Sequence, residues 1–227
     1  MINSKVARIA GFVGALGASA ALVGVAGTST GAYFTDSASG QMDASIGSVQ
    51  VEAATSDTYF SFTGLMPGQN QSQQIDYTNT GTAAQDIWLY IPEGPQYNVF
   101  SGAVGASPAD GLGRYGHFEV KNNAGSINFQ SYNLASNAAD PTNCPVDAAT
   151  GNGGSAERPT SETDTVPYCA VPHYIRVDTN VPATANRHLT LTFGYTGKLT
   201  SQAPSTLQVP FQVVATQPGI RPDAKNF

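Results

Sequence analysis

YFTDSASGQMDASI, residues 33–46, is the stretch that decides how the rest of the chain is interpreted. Apart from Asp36, its even positions are apolar or small, and after Tyr33 its odd positions are all polar. Successive side chains of a strand point to opposite faces, so this period of two predicts an extended strand with one wet side. Such a strand can pair within its own domain or with a neighbouring copy, and the pattern leaves both open. The apolar or small even positions are Phe34, Ala38, Gly40, Met42, Ala44 and Ile46.

The 32 residues before this stretch are predicted to be a signal peptide. Lys5 and Arg8 form a short basic region, and an uncharged run rich in Ala, Gly, Val and Leu follows over residues 9–27. Small residues fit the positions before a signal-peptidase site, so cleavage is expected between Ala32 and Tyr33. An uncleaved membrane anchor is the alternative, because the run approaches the roughly 20 residues that span a bilayer. After cleavage, the amphipathic stretch would be the free N-terminus.

The composition is typical of an extracellular domain. Only 11% of the 227 residues are charged and 24 are Gly, so solubility depends on neutral polar side chains. Without residues 1–32, 8 basic side chains remain against 16 acidic ones, which gives a net charge of −8. This balance disfavours nucleic acid and anionic membrane surfaces as partners. The remaining length suits one domain with a full core.

Beyond the amphipathic stretch, the pattern predicts an all-β domain. Residues 87–91 are apolar throughout, as in a strand buried on both faces. Residues 65–68 carry the Pro and Gly of a type II turn, and residues 122–125 are predicted to connect a hairpin. No segment has a sustained helical period. About nine strands with long surface loops predict a jelly-roll-like β-sandwich over residues 47–216, followed by a tail over residues 217–227.

Two long polar loops interrupt the predicted strands, over residues 92–116 and 133–168. Cys144 and Cys169 flank much of the second loop and are the two cysteines of the sequence. An even number of cysteines in a secreted chain predicts one disulfide, which would hold a loop too polar to pack by itself. Two free, buried thiols are the alternative.

Motifs for catalysis or cofactor binding are sparse. Residues 111–116 spell G-x-G-x-x-G but lead into a predicted strand rather than a helix, so no dinucleotide site is predicted. His117, His173 and His188 belong to three separate predicted strands and are interpreted as solvated or core-edge side chains rather than a zinc site. Trp88 and the tyrosines could stack on sugars, but in a β-sandwich they are more often core and rim residues. No cofactor, metal site or catalytic residue is predicted, and an enzyme is not expected.

Five short motifs together point to a known family. They are TGAYFTD at 30–36, the start of a strand at 46–51, the L-x-P-G turn at 65–68, IDYTNTG at 75–81 and LQVPFQVVATQ at 207–217. These motifs resemble the leader junction, first core strand, turn, strand end and last strand of the TasA/camelysin family. Members of that family are secreted by Gram-positive bacteria and processed by a SipW-type signal peptidase. Residues 92–170 have no counterpart in the resemblance.

The resemblance implies a jelly-roll subunit of biofilm-matrix or cell-surface fibres. The mature N-terminal segment of one copy would complete the sheet of the next, with Phe34, Ala38, Gly40, Met42 and Ala44 on the buried face of this donor strand. The implied partners are other copies of the chain and, during export, the SipW-type peptidase, with no membrane after processing. Asp36 departs from a clean donor pattern. Camelysins have also been classed as zinc metalloproteases, so a secreted or surface-held hydrolase or a glycan-binding β-sandwich is the alternative.

Overall fold

The part of the chain that the computed structural model describes is built mainly from β-strands. All of it lies within one compact unit, Thr35–Phe227. The predicted signal peptide, its cleavage site and the residues predicted for the buried donor face lie outside the described residues, so these remain predictions. None of the helical structure among the described residues is long and apolar enough to cross a membrane. The described residues are 36–37, 51–53, 59–94, 97, 113–134, 144–161, 164–197 and 206–222.

Twelve strands can be followed through these residues. They are β1 (Asp36–Ser37), β2 (Val51–Ala53), β3 (Tyr59–Thr63), β4 (Asn70–Asn79), β5 (Gln85–Tyr90), β6 (Gly116–Lys121), β7 (Ile127–Ser131), β8 (Gly153–Gly154), β9 (Tyr174–Val181), β10 (Asn186–Tyr195), β11 (Thr206–Pro210) and β12 (Gln212–Thr216).

The strands form two main sheets and a small third one. Sheet A has the order β1-β12-β5-β9, sheet B the order β2-β4-β10-β6-β7-β8, and sheet C contains β11 and β3. All pairs are antiparallel except β7 with β8. The all-β prediction is therefore confirmed and the sheets form a β-sandwich, whereas the jelly-roll type stays a prediction.

The core lies between the inward faces of these sheets. In β10, Leu189, Leu191 and Phe193 are buried and alternate with threonines, because a strand with one face in the core needs apolar side chains at every second position. Burying each such side chain stabilises the fold by roughly 1.5–3 kcal/mol. Phe60 of β3 contacts Phe118 of sheet B, with ring centroids 6.1 Å apart, so sheet C shares this core.

Strand β5 is buried on both faces, as its continuous apolar sequence predicts. Its residues Ile87 and Leu89 are fully buried and pair with Ala215 and Val213 of β12. Trp88 belongs to the opposite face and forms a second buried cluster. The other members of that cluster are Tyr90, Tyr174 and Val214.

The two predicted turns have the expected geometry. Gly68 has a φ of 82°, and the Gln69 amide donates to the Met66 carbonyl at 3.1 Å, as in a type II turn. In the hairpin between β6 and β7, the Asn122 side chain accepts hydrogen bonds from the amides of Ala124 and Ser126. Short-range turn chemistry thus fixes both connections.

Candidate functional site

The sandwich has two lateral sides, and at each of them an edge of one main sheet lies next to an edge of the other. On one side β7 contacts β9, and residues 144–155 run along these two strands; we call this the loop side. On the other side β2 contacts β12, and β1 and β2 are the outermost strands; we call this the N-terminal side. Function in a β-sandwich that binds other chains depends on which edges are available, because an exposed edge carries unpaired backbone groups.

The edge of β9 is closed on the loop side by hydrogen bonds from other parts of the same chain. Asn128 of β7 donates from Nδ2 to the carbonyls of Arg176 and Val177, at 2.9 and 3.1 Å. The Arg176 amide in turn donates to the Thr150 carbonyl at 2.8 Å. A backbone amide and backbone carbonyls on this edge are therefore already hydrogen-bonded, so fewer of them are available to pair with a further strand.

The segment beside β9 can approach so closely because of its glycines. Gly151 has a φ of 69°, and a Cβ added there would lie 1.7 Å from the Tyr174 carbonyl oxygen. Asp147 fixes the preceding turn, since its Oδ1 accepts from the Ala149 amide at 2.7 Å and its carbonyl accepts from the Gly151 amide at 2.7 Å. Gly153 and Gly154 then form β8 against β7. This part of the predicted polar loop is thus an ordered edge of sheet B.

A disulfide joins Cys144 to Cys169 on the loop side, as the sequence predicts. Cys169 is 1% exposed, and its amide donates to the Asn133 carbonyl at 2.8 Å just after β7. The bridge therefore ties the segment that begins at Cys144 to the end of a sheet B strand. The loop side is closed covalently as well as by hydrogen bonds.

Among the described residues, fewer contacts close the N-terminal side. Strand β1 pairs with β12 over two residues, Asp36 opposite Ala215 and Ser37 opposite Val214. Strand β2 pairs with β4 over three residues, from Val51 opposite Asn79 onwards. Two or three paired residues make a short edge strand, and isolated pairings of this length are weak.

The strand that pairs with β1 on this side is longer than β1. Strands β11 and β12 follow each other directly and are separated only by Phe211, so residues 206–216 run as one extended segment from sheet C into sheet A. Within the described part of the chain, β11 pairs with β3 on one edge and its other edge has no strand partner. The edge of this segment therefore offers more backbone groups than β1 uses.

The edge of β3 shows how the same chain closes an edge with side chains. The amides of Ser61 and Thr63 donate to the Oε1 atoms of Gln73 and Gln71, both at 3.2 Å. Gln71 also donates from Nε2 to the Thr63 carbonyl. A primary amide that accepts from an N–H and donates to the C=O of one residue reproduces what a neighbouring strand would supply. Side chains therefore close the edge of β3, whereas the edge of β12 is paired with the backbone of β1.

The C-terminal residues hold β12 in position from the outer face of sheet A. Trp88 donates from Nε1 to the Thr216 hydroxyl at 2.9 Å, and that hydroxyl donates to the Ile220 carbonyl at 2.7 Å. The Gly219 amide donates to Oδ2 of the buried Asp86 at 2.9 Å. Residues 217–222, assigned to a tail from sequence, therefore pack on the sheet and hold β12 in place.

The three histidines do not come together. His173 precedes β9, stacks on Tyr97 and shares a 2.8 Å hydrogen bond between its Nδ1 and the Ile91 carbonyl. His188 is half-buried on β10. His117 is 3% exposed, so its interpretation as a solvated or core-edge side chain is wrong: the ring of Tyr132 stacks on it. No group of three His, Cys, Asp or Glu that could bind a metal occurs among the described residues.

The strongest perturbations of tyrosine pKa values also have a structural cause. Burial, followed by the charge of Asp178, raises the pKa of Tyr77 far above its ordinary value. Its hydroxyl donates to Asp178 at 3.2 Å, and Arg187 pairs with the same carboxylate at 2.9 Å. This group links β4, β9 and β10. It connects the two main sheets, and its carboxylate is already occupied by these two partners.

Comparisons with protein-family models, with curated proteins and with solved structures find no match to this chain. The similarity to the TasA/camelysin family therefore rests on the short motifs of the sequence.

Proposed function

We propose that the protein is a secreted structural subunit of extracellular fibres, and that its mature N-terminal segment pairs with the β12–β11 edge of a neighbouring copy. The observation that carries this proposal is the mismatch on the N-terminal side. Strand β1 occupies two residues of an extended segment that runs over residues 206–216. A longer strand from another copy would use the rest of this edge.

The register of β1 supports the assignment of the donor face. Asp36 lies opposite Ala215, and directly opposed residues of an antiparallel pair share one face of the sheet. Extended in the same register, a donor strand would place Ala38 opposite Val213 and Gly40 opposite Phe211. Val213 and Phe211 are 1% and 4% exposed, so the even positions of the donor would meet buried apolar residues.

The sizes of the paired residues also fit. A glycine in the donor would face the largest acceptor side chain, Phe211, and Met42 would face Val209, which is 0% exposed. Burying Met42 would contribute roughly 1.5–3 kcal/mol. Each added ladder hydrogen bond would contribute about 0.5–1.5 kcal/mol. Twelve extended residues span about 40 Å. A donor strand of this length can form more ladder hydrogen bonds than the two residues of β1, so pairing in trans can be more stable than pairing in cis.

Two neighbouring substitutions test this proposal. Ala38→Asp would place a carboxylate against Val213 and should abolish the fibres that negative-stain electron microscopy shows for the mature wild-type protein. Ser39→Asp carries the same charge on the opposite face of the strand and should leave the fibres intact. Equal sensitivity of both positions, or wild-type protein without fibres, would contradict the proposal.

A deletion provides a second test. Mature protein that lacks residues 33–46 should be a soluble monomer, because the acceptor edge remains but the donor is gone. This monomer should bind a synthetic peptide of residues 33–46, measured by fluorescence anisotropy, and bind the Ala38→Asp peptide at least tenfold more weakly. Polymerisation of the truncated protein would exclude residues 33–46 as the donor.

A further inference from the structure

A stack of three side chains lies on sheet B, near the loop side. The rings of His117 and Tyr132 are parallel to within 1° with centroids 3.9 Å apart. The guanidinium of Arg158 lies 4.1 Å from the centre of the same Tyr132 ring and donates to its hydroxyl at 2.5 Å. Two groups this close to one ring centre cannot share a face, so Tyr132 separates His117 from Arg158.

His117 is buried, and it has no hydrogen-bond partner among the described residues. It is 3% exposed, and neither Nδ1 nor Nε2 has a partner among protein atoms. Burying a neutral imidazole here costs the free energy of its missing hydrogen bonds. Burying an imidazolium costs more, because it would also be an unpaired charge. The site is therefore built for the neutral ring.

The charges around His117 make protonation still less favourable. Arg158 and Lys121 both act against a positive ring. The nearest carboxylate along β6 is Glu119, and its Oε1 is 2.6 Å from the Lys121 ammonium while its Oε2 accepts from Gln130 at 3.3 Å. On the neighbouring strand, His117 pairs with Gly194, which carries no charge. Burial first, and then these two cations, lower the pKa of His117 to about 4.

Residues 155–161 form the arm that carries Arg158. The arm begins where the Ser155 amide donates to the Gln130 carbonyl at 2.9 Å, and Glu157 and Arg158 are exposed. Its far end is organised locally, because Asp164 accepts from the amides of Thr160 and Ser161 at 2.7 and 3.1 Å. The contact of Arg158 with Tyr132 thus joins a largely exposed arm to the sheet.

We propose that His117 is an acid-sensitive switch that releases the arm of residues 155–161 from sheet B. When His117 takes up a proton, the charged ring needs water and repels Arg158 across the Tyr132 ring. His117 belongs to a central strand of sheet B, whereas the arm is exposed at residues 156–158 and 160 and buried at Pro159, so the arm is the part that moves. Its release lets water reach Tyr132 and His117.

The direction of the pH dependence follows from the lowered pKa. The closed arm favours neutral His117, whereas in the released state the ring titrates near its ordinary value of 6.5. The closed state therefore has its full stability above pH 6.5 and loses it as the pH falls towards 4. Below that value both states are protonated and the loss levels off. The equilibrium constant for opening should rise on the order of 100-fold between pH 7 and pH 4.

Hydrogen exchange measured by mass spectrometry tests this switch on the intact mature protein. After correction for intrinsic exchange rates, peptides covering residues 128–134 and 153–161 should lose protection on the order of 100-fold from pH 7 to pH 4. His117→Phe keeps an aromatic ring but cannot be protonated, so its protection should not change with pH. His188→Phe, on the neighbouring strand β10, should behave as the wild type does.

A histidine titration by NMR gives a second readout that needs no variant. The His117 ring signals should titrate near pH 4, and the Arg158 side-chain signals should shift in the same range. Unchanged protection of the wild-type arm down to pH 3.5 would overturn the proposal. So would equal loss of protection in His117→Phe, which would assign the effect to carboxylates.

Discussion

On the loop side of the sandwich the edge of β9 is covered by Asn128, Thr150 and a disulfide-tied segment, whereas on the N-terminal side the edge of β12 holds two residues of β1. On both sides a strand edge is covered, since an open strand edge invites pairing with other chains. The loop side uses glycines for close approach, side chain to backbone hydrogen bonds and a covalent bridge. These contacts are specific to one partner and cannot be exchanged for an arbitrary strand.

Among the contacts described, only main-chain pairing closes the N-terminal side. Any strand with a suitable face can replace such pairing. The difference suggests that the chain closes one side permanently and leaves the other for exchange. If this is correct, changes on the loop side should lower the free energy of unfolding, whereas changes on the N-terminal side should mainly affect assembly.

Loss of the disulfide should have the largest effect on stability. The double substitution Cys144→Ser and Cys169→Ser removes a bridge between two residues that are 25 positions apart in the sequence. In the chain-entropy model this costs about 3.5 kcal/mol of unfolding free energy. Urea unfolding of the monomeric, truncated protein measures it. A loss below 1 kcal/mol would mean that the loop side is held by its other contacts.

Asn128→Ala should have the next largest effect. It removes the two hydrogen bonds that the Arg176 and Val177 carbonyls accept from Asn128 at the edge of β9, which should cost about 2 kcal/mol. Asn186→Ala removes the same side chain from an exposed position on β10 and should cost less than about 0.5 kcal/mol. Equal effects of the two substitutions in urea unfolding would show that Asn128 does not close the edge.

Removal of residues 33–46 should have the smallest effect on the stability of the monomer. Two paired residues contribute one or two ladder hydrogen bonds, so the loss should be about 1 kcal/mol, measured by urea unfolding below the concentration of assembly. The same deletion should abolish fibres. A stability loss above about 4 kcal/mol would instead make the segment an integral strand of its own domain.

The sequence predicts those parts of the fold that depend on neighbouring residues. The alternation in β10, the apolar run of β5 and the turn at Gly68 each follow from a local pattern, and the structure has them. Two cysteines in a chain predicted to be secreted were sufficient to predict the bridge. These features need no knowledge of what lies across the molecule.

The contacts that close the loop side could not be predicted in this way. Asn128 binds carbonyls 48 and 49 residues away, and nothing in its local sequence indicates that partner. The Gly-rich part of the predicted loop gave one missed signal, because Gly151 and Gly153 permit close approach of backbones as well as turns. The burial of His117 likewise depends on Tyr132, which directly follows the next strand, β7. For the candidate site, the apolar face of residues 33–46 was predicted from its period and its donor role from the family resemblance, whereas the proposed acceptor edge required the pairing of β1 with β12.

Cysteine cross-linking tests most directly whether residues 33–46 pair with a neighbouring copy. Ser37→Cys with Val214→Cys, and Asp36→Cys with Ala215→Cys, place thiols at the two observed register positions. Adjacent antiparallel pairs alternate between the two hydrogen-bonding types, so one of these variants has the closer side chains. Oxidised fibres should give a ladder of covalent multimers on a denaturing gel, which collapses to monomer on reduction. Fibres that yield only internally bridged monomer would contradict exchange between copies.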